Sequence, residues 1–247
     1  MFQPIGEAGR AELVERRIAE AIMGGHLRAG DRLPSEADLA RTMGVAPTTV
    51  REALFALRSR GLVVTRRGRG GGSFVSEDAD PRAFARKALT TSSRLTLHDL
   101  GIHYSALTVA ASRLAARRAT PGEIEAIRTR LNRLEAPAPG DDGALAAWRQ
   151  TMDDLQLELV ALSQSARVTR EQMRLQAEFS PLLRLLDTEA DVREAQRTRF
   201  TEILDAVESG DEDAAGRATE RMVTEAVAAL DALRQRLAAP PADDGAR

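Results

Sequence analysis

The sequence predicts a mainly α-helical protein with two domains, an N-terminal winged helix-turn-helix and a C-terminal antiparallel α-helical bundle. Two helix signals flank a glycine turn within residues 33–60, and a hairpin rich in glycine and arginine follows at residues 62–76. From residue 82 onward the apolar residues recur at helical spacing, and no stretch alternates with the period of a strand. With 247 residues, the chain is long enough for two modest domains. We expect these domains at 1–76 and 82–237, with a linker at 77–81 and a disordered tail at 238–247.

The composition excludes several classes of protein. No apolar run approaches the ~20 residues that a membrane-spanning helix requires, and the N-terminus is neither basic nor followed by an apolar segment. We therefore expect a cytoplasmic protein without a membrane partner. The absence of cysteine excludes disulfides, thiolate metal sites and thiol nucleophiles. Residues 1–76 hold twelve arginines against eight acidic residues, whereas the remainder is net acidic, so a polyanionic partner would bind the N-terminal part.

The helix-turn-helix is predicted from capping and periodicity. Ser35 occupies the N-cap position and Asp38 follows three residues later, which places the first helix at Glu36–Thr42, and Gly44 ends it. The second helix, Pro47–Arg60, has an apolar face and an opposite face that carries Thr48, Thr49, Arg51 and Arg58. An amphipathic helix at Ala11–Met23 precedes this pair.

The segment after the second helix predicts a wing. Short strands at Leu62–Thr65 and Ser73–Ser76 are joined by RRGRGGG, whose glycines permit a tight hairpin. Taken alone, a Thr-Thr-x-Arg run is typical of solvated surface, and such a loop is typical of a flexible linker. Their order and spacing behind a capped helix instead favour binding of double-stranded DNA.

Over the first 76 residues the chain resembles the DNA-binding domain of GntR-family transcription regulators. The segments that match are LPSE, VREAL and a Gly-rich wing ending in FV. The resemblance implies DNA contacts by residues at the start of the first helix, in the second helix and in the wing, namely Ser35, Thr48, Thr49, Arg51, Arg67, Gly68 and Arg69. Ala37 and Pro47 stand where members often carry arginine, so we expect an operator that differs from the best-known one or is read more through phosphates and DNA shape.

Seven amphipathic helices are predicted after the linker and imply an antiparallel bundle. Their expected ranges are 82–90, 97–118, 121–134, 144–163, 168–186, 190–209 and 211–237. Residues 82–235 resemble the all-helical FCD domain of FadR-like regulators, most clearly at LHDLGIHYSALTVAASRLAARRAT and ILDAVESGDEDAAGRATERM.

The resemblance also indicates what this bundle lacks. Most members hold a divalent metal through one Asp and three His, and metal and arginine together bind a carboxylate. The matching positions here are Met152, Gln156, Phe200 and Met222, while Tyr104 and Thr108 replace an arginine and a glutamate of the opening helix. Shifting the register by one recruits Asp153 but no histidine. His98 and His103 are five residues apart and do not share a helix face, and His26 lies in the other domain, so we expect no metal and no cofactor.

Apolar replacements predict an apolar effector pocket. Methionine adapts its shape to irregular apolar ligands, and Tyr104, Thr108 and Gln156 would supply polar contacts. We expect a lipid-like effector such as a fatty acyl-coenzyme A, since one branch of the subfamily lacks the metal and binds such thioesters. Two alternatives are a small organic acid held by Arg113 or Arg149 without metal, and a core that Met152, Phe200 and Met222 fill completely.

The sequence therefore predicts a ligand-responsive transcription regulator, a repressor that binds a pseudo-palindromic operator as a homodimer. An effector-free architectural DNA-binding protein is the alternative, and an effector-dependent operator affinity would distinguish the two. We expect no enzyme, because the bundle offers no cysteine, only Lys87 as a cofactor lysine, and no nucleophile with paired carboxylates.

Overall fold

The computed structural model describes residues 7–23, 27–138 and 140–238, which form ten α-helices and one two-stranded sheet. His26 and the predicted tail beyond residue 238 lie outside these ranges. In the described part of the chain no helix is both long enough and apolar enough to cross a membrane. The chain divides into two compact units, residues 1–84 and 85–247, each with its own core.

The N-terminal unit is a winged helix-turn-helix. Its helices are α1 (Glu7–Met23), α2 (Glu36–Met43) and α3 (Pro47–Ser59), and its strands are β1 (Val63–Arg66) and β2 (Gly72–Val75). The strands pair antiparallel with Val63 opposite Val75. Gly44 ends α2 with φ = 65°, a left-handed conformation that glycine adopts without a Cβ penalty.

The core of this unit fixes the orientation of α3. Val50, Leu54 and Leu57 are fully buried and pack in one cluster with Ile18 and Ile22 of α1. Burial of each such side chain contributes about 1.5–3 kcal/mol. The opposite face of α3 is thereby held at the surface.

The C-terminal unit contains the predicted helical bundle. Its helices are α4 (Pro81–Thr91), α5 (Arg94–Arg118), α6 (Pro121–Asn132), α7 (Asp142–Ala161), α8 (Ala166–Leu183), α9 (Ala190–Glu208) and α10 (Glu212–Ala238). α4 spans the boundary between the two units. α5 begins three residues before the predicted start, because the Ser93 side chain caps it by accepting a hydrogen bond from the Thr96 amide.

Close packing of α10 against α5 sets the position of the bundle interior. A Cβ at Gly101 would lie 2.5 Å from Val227 Cγ2, so glycine at this position allows the two helices to approach. Two apolar clusters form in the bundle, and Met222 of α10 packs against both. A cavity lies beside Met222, bounded by α7, α8, α9 and α10 with Tyr104 of α5.

Candidate DNA interface and effector cavity

The exposed face of α3 carries part of the predicted DNA-binding set. Thr48 and Arg51 are exposed as expected. Thr49 is only 6% exposed, so its predicted place on the exposed face is wrong: α3 turns Thr49 inward next to Val50. Phe55, which the sequence analysis did not single out, is 66% exposed on this helix. The sequence did contain a signal for this position: Phe55 follows Arg51 by four residues and therefore lies on the same face of the helix.

The side chains of Arg51 and Ser35 have partners within the domain. Arg51 donates from Nε and Nη2 to Oε2 of Glu36 at 3.2 and 3.1 Å, which links α3 to α2. Ser35 Oγ accepts from the Asp38 amide at 3.2 Å and donates to Asp38 Oδ2 at 2.6 Å. The Ser35 hydrogen bond lowers the pKa of Asp38 below its ordinary value, and Arg41 adds to this effect. Ser35 therefore serves as a helix cap, and its contact with DNA stays a prediction.

The wing presents two arginines. Arg66 is engaged within the domain, because its guanidinium lies 2.8 Å from a Glu77 carboxylate oxygen and 4.7 Å from the centre of the Phe74 ring. Arg67 and Arg69 are exposed, and neither forms a hydrogen bond or ion pair with any described residue. Gly68 between them has φ = 100°, a conformation that favours glycine. The wing tip therefore carries two exposed guanidinium groups that could bind DNA phosphates.

The bundle cavity has a volume of ≈ 230 Å³. Five of the six residues predicted to contact the effector line it: Tyr104, Met152, Gln156, Phe200 and Met222. These side chains do not fill the core completely. Most of the remaining lining is apolar and comes from α8, α9 and α10, including Phe179, Val192 and Ala226.

Two residues expected at the site lie elsewhere. Thr108 is fully buried outside the cavity lining, where its hydroxyl donates to the Tyr104 carbonyl at 2.6 Å and lies 3.3 Å from Gln172 Oε1. Its predicted role as a polar contact for the effector is wrong, because this hydrogen bond turns its hydroxyl toward its own helix. Arg113 also lies outside the lining, with Nη2 3.4 Å from Asp213.

The polar end of the cavity carries buried charges. Arg149 is 3% exposed, and its Nη1 donates to Asp187 Oδ1 at 3.4 Å and to Gln196 Oε1 at 3.0 Å. Its Nε lies 3.5 Å from Asp153 Oδ1. Asp153 accepts a hydrogen bond from the Ser180 hydroxyl. The sequence analysis expected only neutral polar contacts in an apolar pocket. The structure instead shows buried ion pairs at one end of the cavity.

Burial dominates the protonation of this end. It raises the pKa values of the Asp153 and Asp187 carboxyls above the ordinary range, against the opposing effect of the Arg149 guanidinium. Burial also raises the pKa of the Tyr104 hydroxyl. Burial disfavours the charged form of Arg149 as well, but Asp187 and Asp153 outweigh it and raise its pKa.

Hydrogen bonding in the same region is incomplete. Within the described ranges, seven buried polar atoms on α7, α8 and the residues just after α8 have no hydrogen-bond partner: Arg149 Nε, Gln156 Nε2, Gln172 Nε2, Gln176 Oε1, Arg184 Nε, Arg184 Nη2 and Asp187 Oδ2. Folded proteins leave only a few buried polar atoms without partners, and such atoms often bind water or a ligand. Water or another small polar group would complete the hydrogen bonds of these atoms.

The residues of the cavity do not fit a divalent metal. Two thioethers, an amide and a phenyl ring stand at the positions that the resemblance aligns with metal ligands, and hard or borderline cations prefer imidazole and carboxylate. Among the described residues, no three His, Cys, Asp or Glu side chains are grouped so that they could hold a metal ion.

A second surface of the bundle is a groove between α5 and α10. Small side chains such as Ser105, Ala106 and Ala228 line it. Ile102, which is 67% exposed, lies in the groove, and Leu95, which is 80% exposed, lies two turns before Ile102 on the same face of α5. Large apolar side chains therefore stand beside a shallow depression on the same face.

Comparison with known proteins assigns both units to families. Residues 10–72 match the family model "Bacterial regulatory proteins, gntR family", and residues 103–225 match the model "FCD domain". The HTH-type transcriptional regulator RmpR of Mycobacterium gastri is 35% identical over 179 residues, which are 72% of this chain and 64% of RmpR. The chain thus spans just under two thirds of that relative's length.

Two further relatives match over most of their length. HTH-type transcriptional regulator Mce2R of Mycobacterium tuberculosis is 27% identical over 236 residues, covering 90% of this chain and 92% of Mce2R. The structure of E. coli McbR/YncC is 20% identical, with a TM-score of 0.52 over 90% of this chain and 97% of that one, and shows the shared fold. The chain belongs to the gntR family of bacterial regulatory proteins and carries an FCD domain after its winged helix-turn-helix.

Proposed function

We propose that this chain is a DNA-binding transcription regulator whose affinity for its operator depends on a small molecule bound in the bundle cavity. The observation that carries the proposal is the presence, in one chain, of a winged helix-turn-helix with exposed cations and a helical bundle with a cavity of ≈ 230 Å³. A purely architectural DNA-binding protein would have no use for such a cavity. The family consists of regulators rather than enzymes.

On DNA, α3 would lie in the major groove and the wing in the adjacent minor groove. Thr48 and Arg51 are the exposed candidates for contacts from α3, and Arg67 and Arg69 are those of the wing. Arginine contacts to phosphates supply affinity, whereas contacts to base edges supply sequence preference. We propose repression as the direction of control, because occupation of an operator blocks transcription without any contact to another protein.

We further propose that the regulator is a homodimer formed through the groove between α5 and α10. A two-fold interface requires one patch that complements itself, and this patch presents Ile102 beside the small side chains of Ser105 and Ala228. Arg94 and Asp231, which lie 3.6 Å apart at one end of the groove, supply both signs of charge to the same patch. Two copies would place two recognition helices in successive major grooves of a pseudo-palindromic site.

For the effector we propose a lipid-like acyl compound whose chain occupies the apolar part of the cavity. Pockets that enclose drug-sized ligands have volumes of about 300–1,000 Å³, so this cavity cannot enclose a whole acyl-coenzyme A. The coenzyme would have to remain outside. A small organic acid is the second candidate, because the guanidinium of Arg149 lies on the cavity wall, and such an acid would have to displace Asp187 or Asp153 from it.

The proposal is tested by selecting DNA from a random pool with the full-length protein and measuring affinity for the selected site by fluorescence anisotropy. A double variant, Arg67→Ala with Arg69→Ala, should weaken binding, whereas Arg133→Ala on the exposed surface of the bundle should not. Denaturing mass spectrometry of the purified protein, with metal analysis of the same sample, identifies any bound small molecule. Failure to select any DNA sequence would contradict the proposal.

A further inference from the structure

We infer that the cavity binds an uncharged molecule of roughly nine non-hydrogen atoms, with an apolar body and one carbonyl or similar oxygen acceptor placed at the Arg149 end. This inference rests on the proposed function, because it names the chemical class of the effector. Three independent features of the cavity carry it: its volume, the balance of its charges and its unused hydrogen-bond donors.

The volume limits the size of the ligand. A cavity of about 150 Å³ in a protein core accommodates benzene, which has six non-hydrogen atoms. Scaling to ≈ 230 Å³ gives room for roughly nine such atoms. A medium-length chain fits within this space, whereas a long fatty acyl chain or a nucleotide would have to extend out of it.

The charges at the polar end are already balanced. The cavity lining holds two cations, Arg149 and Arg199, and two carboxylates, Asp153 and Glu225. Arg149 lies 3.4 Å from Asp187 and 3.5 Å from Asp153. Arg193 donates to the backbone carbonyl of Asp187 and does not line the cavity. An added carboxylate would leave a net negative charge in a buried site, which is strongly unfavourable.

The other charged residues on the cavity wall are also paired. Arg199 donates to both carboxylate oxygens of Glu225, at 2.9 and 3.0 Å, and to Glu202 at 2.9 Å. Arg199 and Glu225 both line the cavity. Among the residues that line the cavity, a ligand with a carboxylate would therefore find no unpaired cation, and a ligand with an ammonium group would find no unpaired carboxylate.

Two buried N–H donors at the cavity have no hydrogen-bond partner in the described part of the chain, and an uncharged acceptor on the ligand would suit them. The buried Arg149 Nε and Gln156 Nε2 have no hydrogen-bond partner among the described residues. Arginine has five N–H donors, and those of Arg149 are only partly used by Asp187 and Gln196. A carbonyl oxygen would accept from such a donor after a small rotation of the side chain, and it would leave the charge balance unchanged.

The opposite end of the cavity fits the apolar body. Phe179, Leu186, Val192 and Phe200 form its lining with Met222, whose flexible thioether adapts to the shape of a chain. The carbonyl could belong to a ketone, an ester or a thioester. In all three cases the part of the ligand inside the cavity has the same size and places the same carbonyl oxygen at the polar end.

The test compares matched ligands on the full-length protein at pH 7 by isothermal titration calorimetry. We expect 2-octanone to bind at least about tenfold more tightly than octanoate, since one unpaired buried charge is worth more than the 1.4 kcal/mol of a tenfold change. Octylammonium should likewise bind at least about tenfold more weakly than 2-octanone. Equal or tighter binding of octanoate, or no binding of 2-octanone, would overturn the inference.

Two further arms identify the source and separate this inference from the proposed function. Octanoyl-coenzyme A that binds as tightly as 2-octanone indicates a thioester, whereas exclusive binding of 2-octanone indicates a free ketone or ester. The variant Ala226→Leu, which fills part of the cavity, should lose 2-octanone binding, whereas Ala126→Leu on the exposed face of α6 should keep it. Selection of an operator is measured separately, so its failure would contradict the regulator proposal while leaving the ligand chemistry intact.

Discussion

Filling the cavity should stabilise the ligand-free protein. Ala226 lies on α10 at the cavity wall, and Ala226→Leu adds three carbon atoms toward a space of ≈ 230 Å³. Burial of a methylene group contributes about 0.8 kcal/mol, so the leucine should raise the free energy of unfolding by up to about 2 kcal/mol. If the space were already packed, the same exchange would lower this free energy by about 1–3 kcal/mol. The sign of the change therefore decides whether the cavity is open.

Urea denaturation followed by tryptophan fluorescence measures this effect in the bundle alone. Trp148 is the only tryptophan of the chain, and it is buried in the bundle core. Ala126→Leu makes the same exchange at an exposed position of α6 and controls for the helix propensity of leucine. A midpoint for Ala226→Leu below those of both the wild type and Ala126→Leu would refute the reasoning.

The remaining predictions concern the wing, a helix cap and the dimer. Arg67→Ala and Arg69→Ala should each weaken DNA binding and reduce the slope of log affinity against log salt by about 0.9, measured by anisotropy over a salt series, if each guanidinium binds one phosphate. Ser35→Ala should destabilise α2 by about 1 kcal/mol in denaturation followed by circular dichroism, and NMR titration should show the pKa of Asp38 rising toward its ordinary 3.8. Because that pKa is depressed in the folded protein, the stability from the carboxylate form is present above pH 3.8 and lost as the pH falls through the folded pKa. The difference between wild type and variant should therefore shrink in acid to the part contributed by the amide–Ser35 hydrogen bond, which does not depend on pH. Ile102→Glu should yield monomers in analytical ultracentrifugation with the helical content unchanged, and a variant that remains dimeric would exclude the groove as the interface.

Local signals predicted the elements of the fold well. Ser35 and Gly44 mark the two ends of α2 in the sequence and in the structure, because capping depends on residues adjacent in the chain. The start of α5 was missed, since Ser93 caps it ahead of the first strongly apolar positions. Thr49 was placed on the wrong face, because a small polar residue next to Val50 gives little indication of which way the helix turns.

Tertiary interactions account for what the sequence did not reveal at the cavity. Alignment of helix positions placed Met152, Phe200 and Met222 correctly on its wall. The pairing of Arg149 with Asp187 joins residues 38 positions apart, so no local spacing predicts it. Arg149 and Asp153, four residues apart on a helix with a largely apolar face, were the only sequence signal for the ion-paired end.

The most direct test of the central claim is the affinity of the full-length protein for its selected operator with the cavity empty and occupied. Fluorescence anisotropy titrations would be run without ligand and with saturating 2-octanone, and repeated with Ala226→Leu. We predict that the ligand weakens operator binding by about 5–150-fold, the usual range of coupling between two sites, and that Ala226→Leu abolishes this response. An operator affinity that the ligand leaves unchanged, in a protein shown by calorimetry to be saturated, would contradict the account.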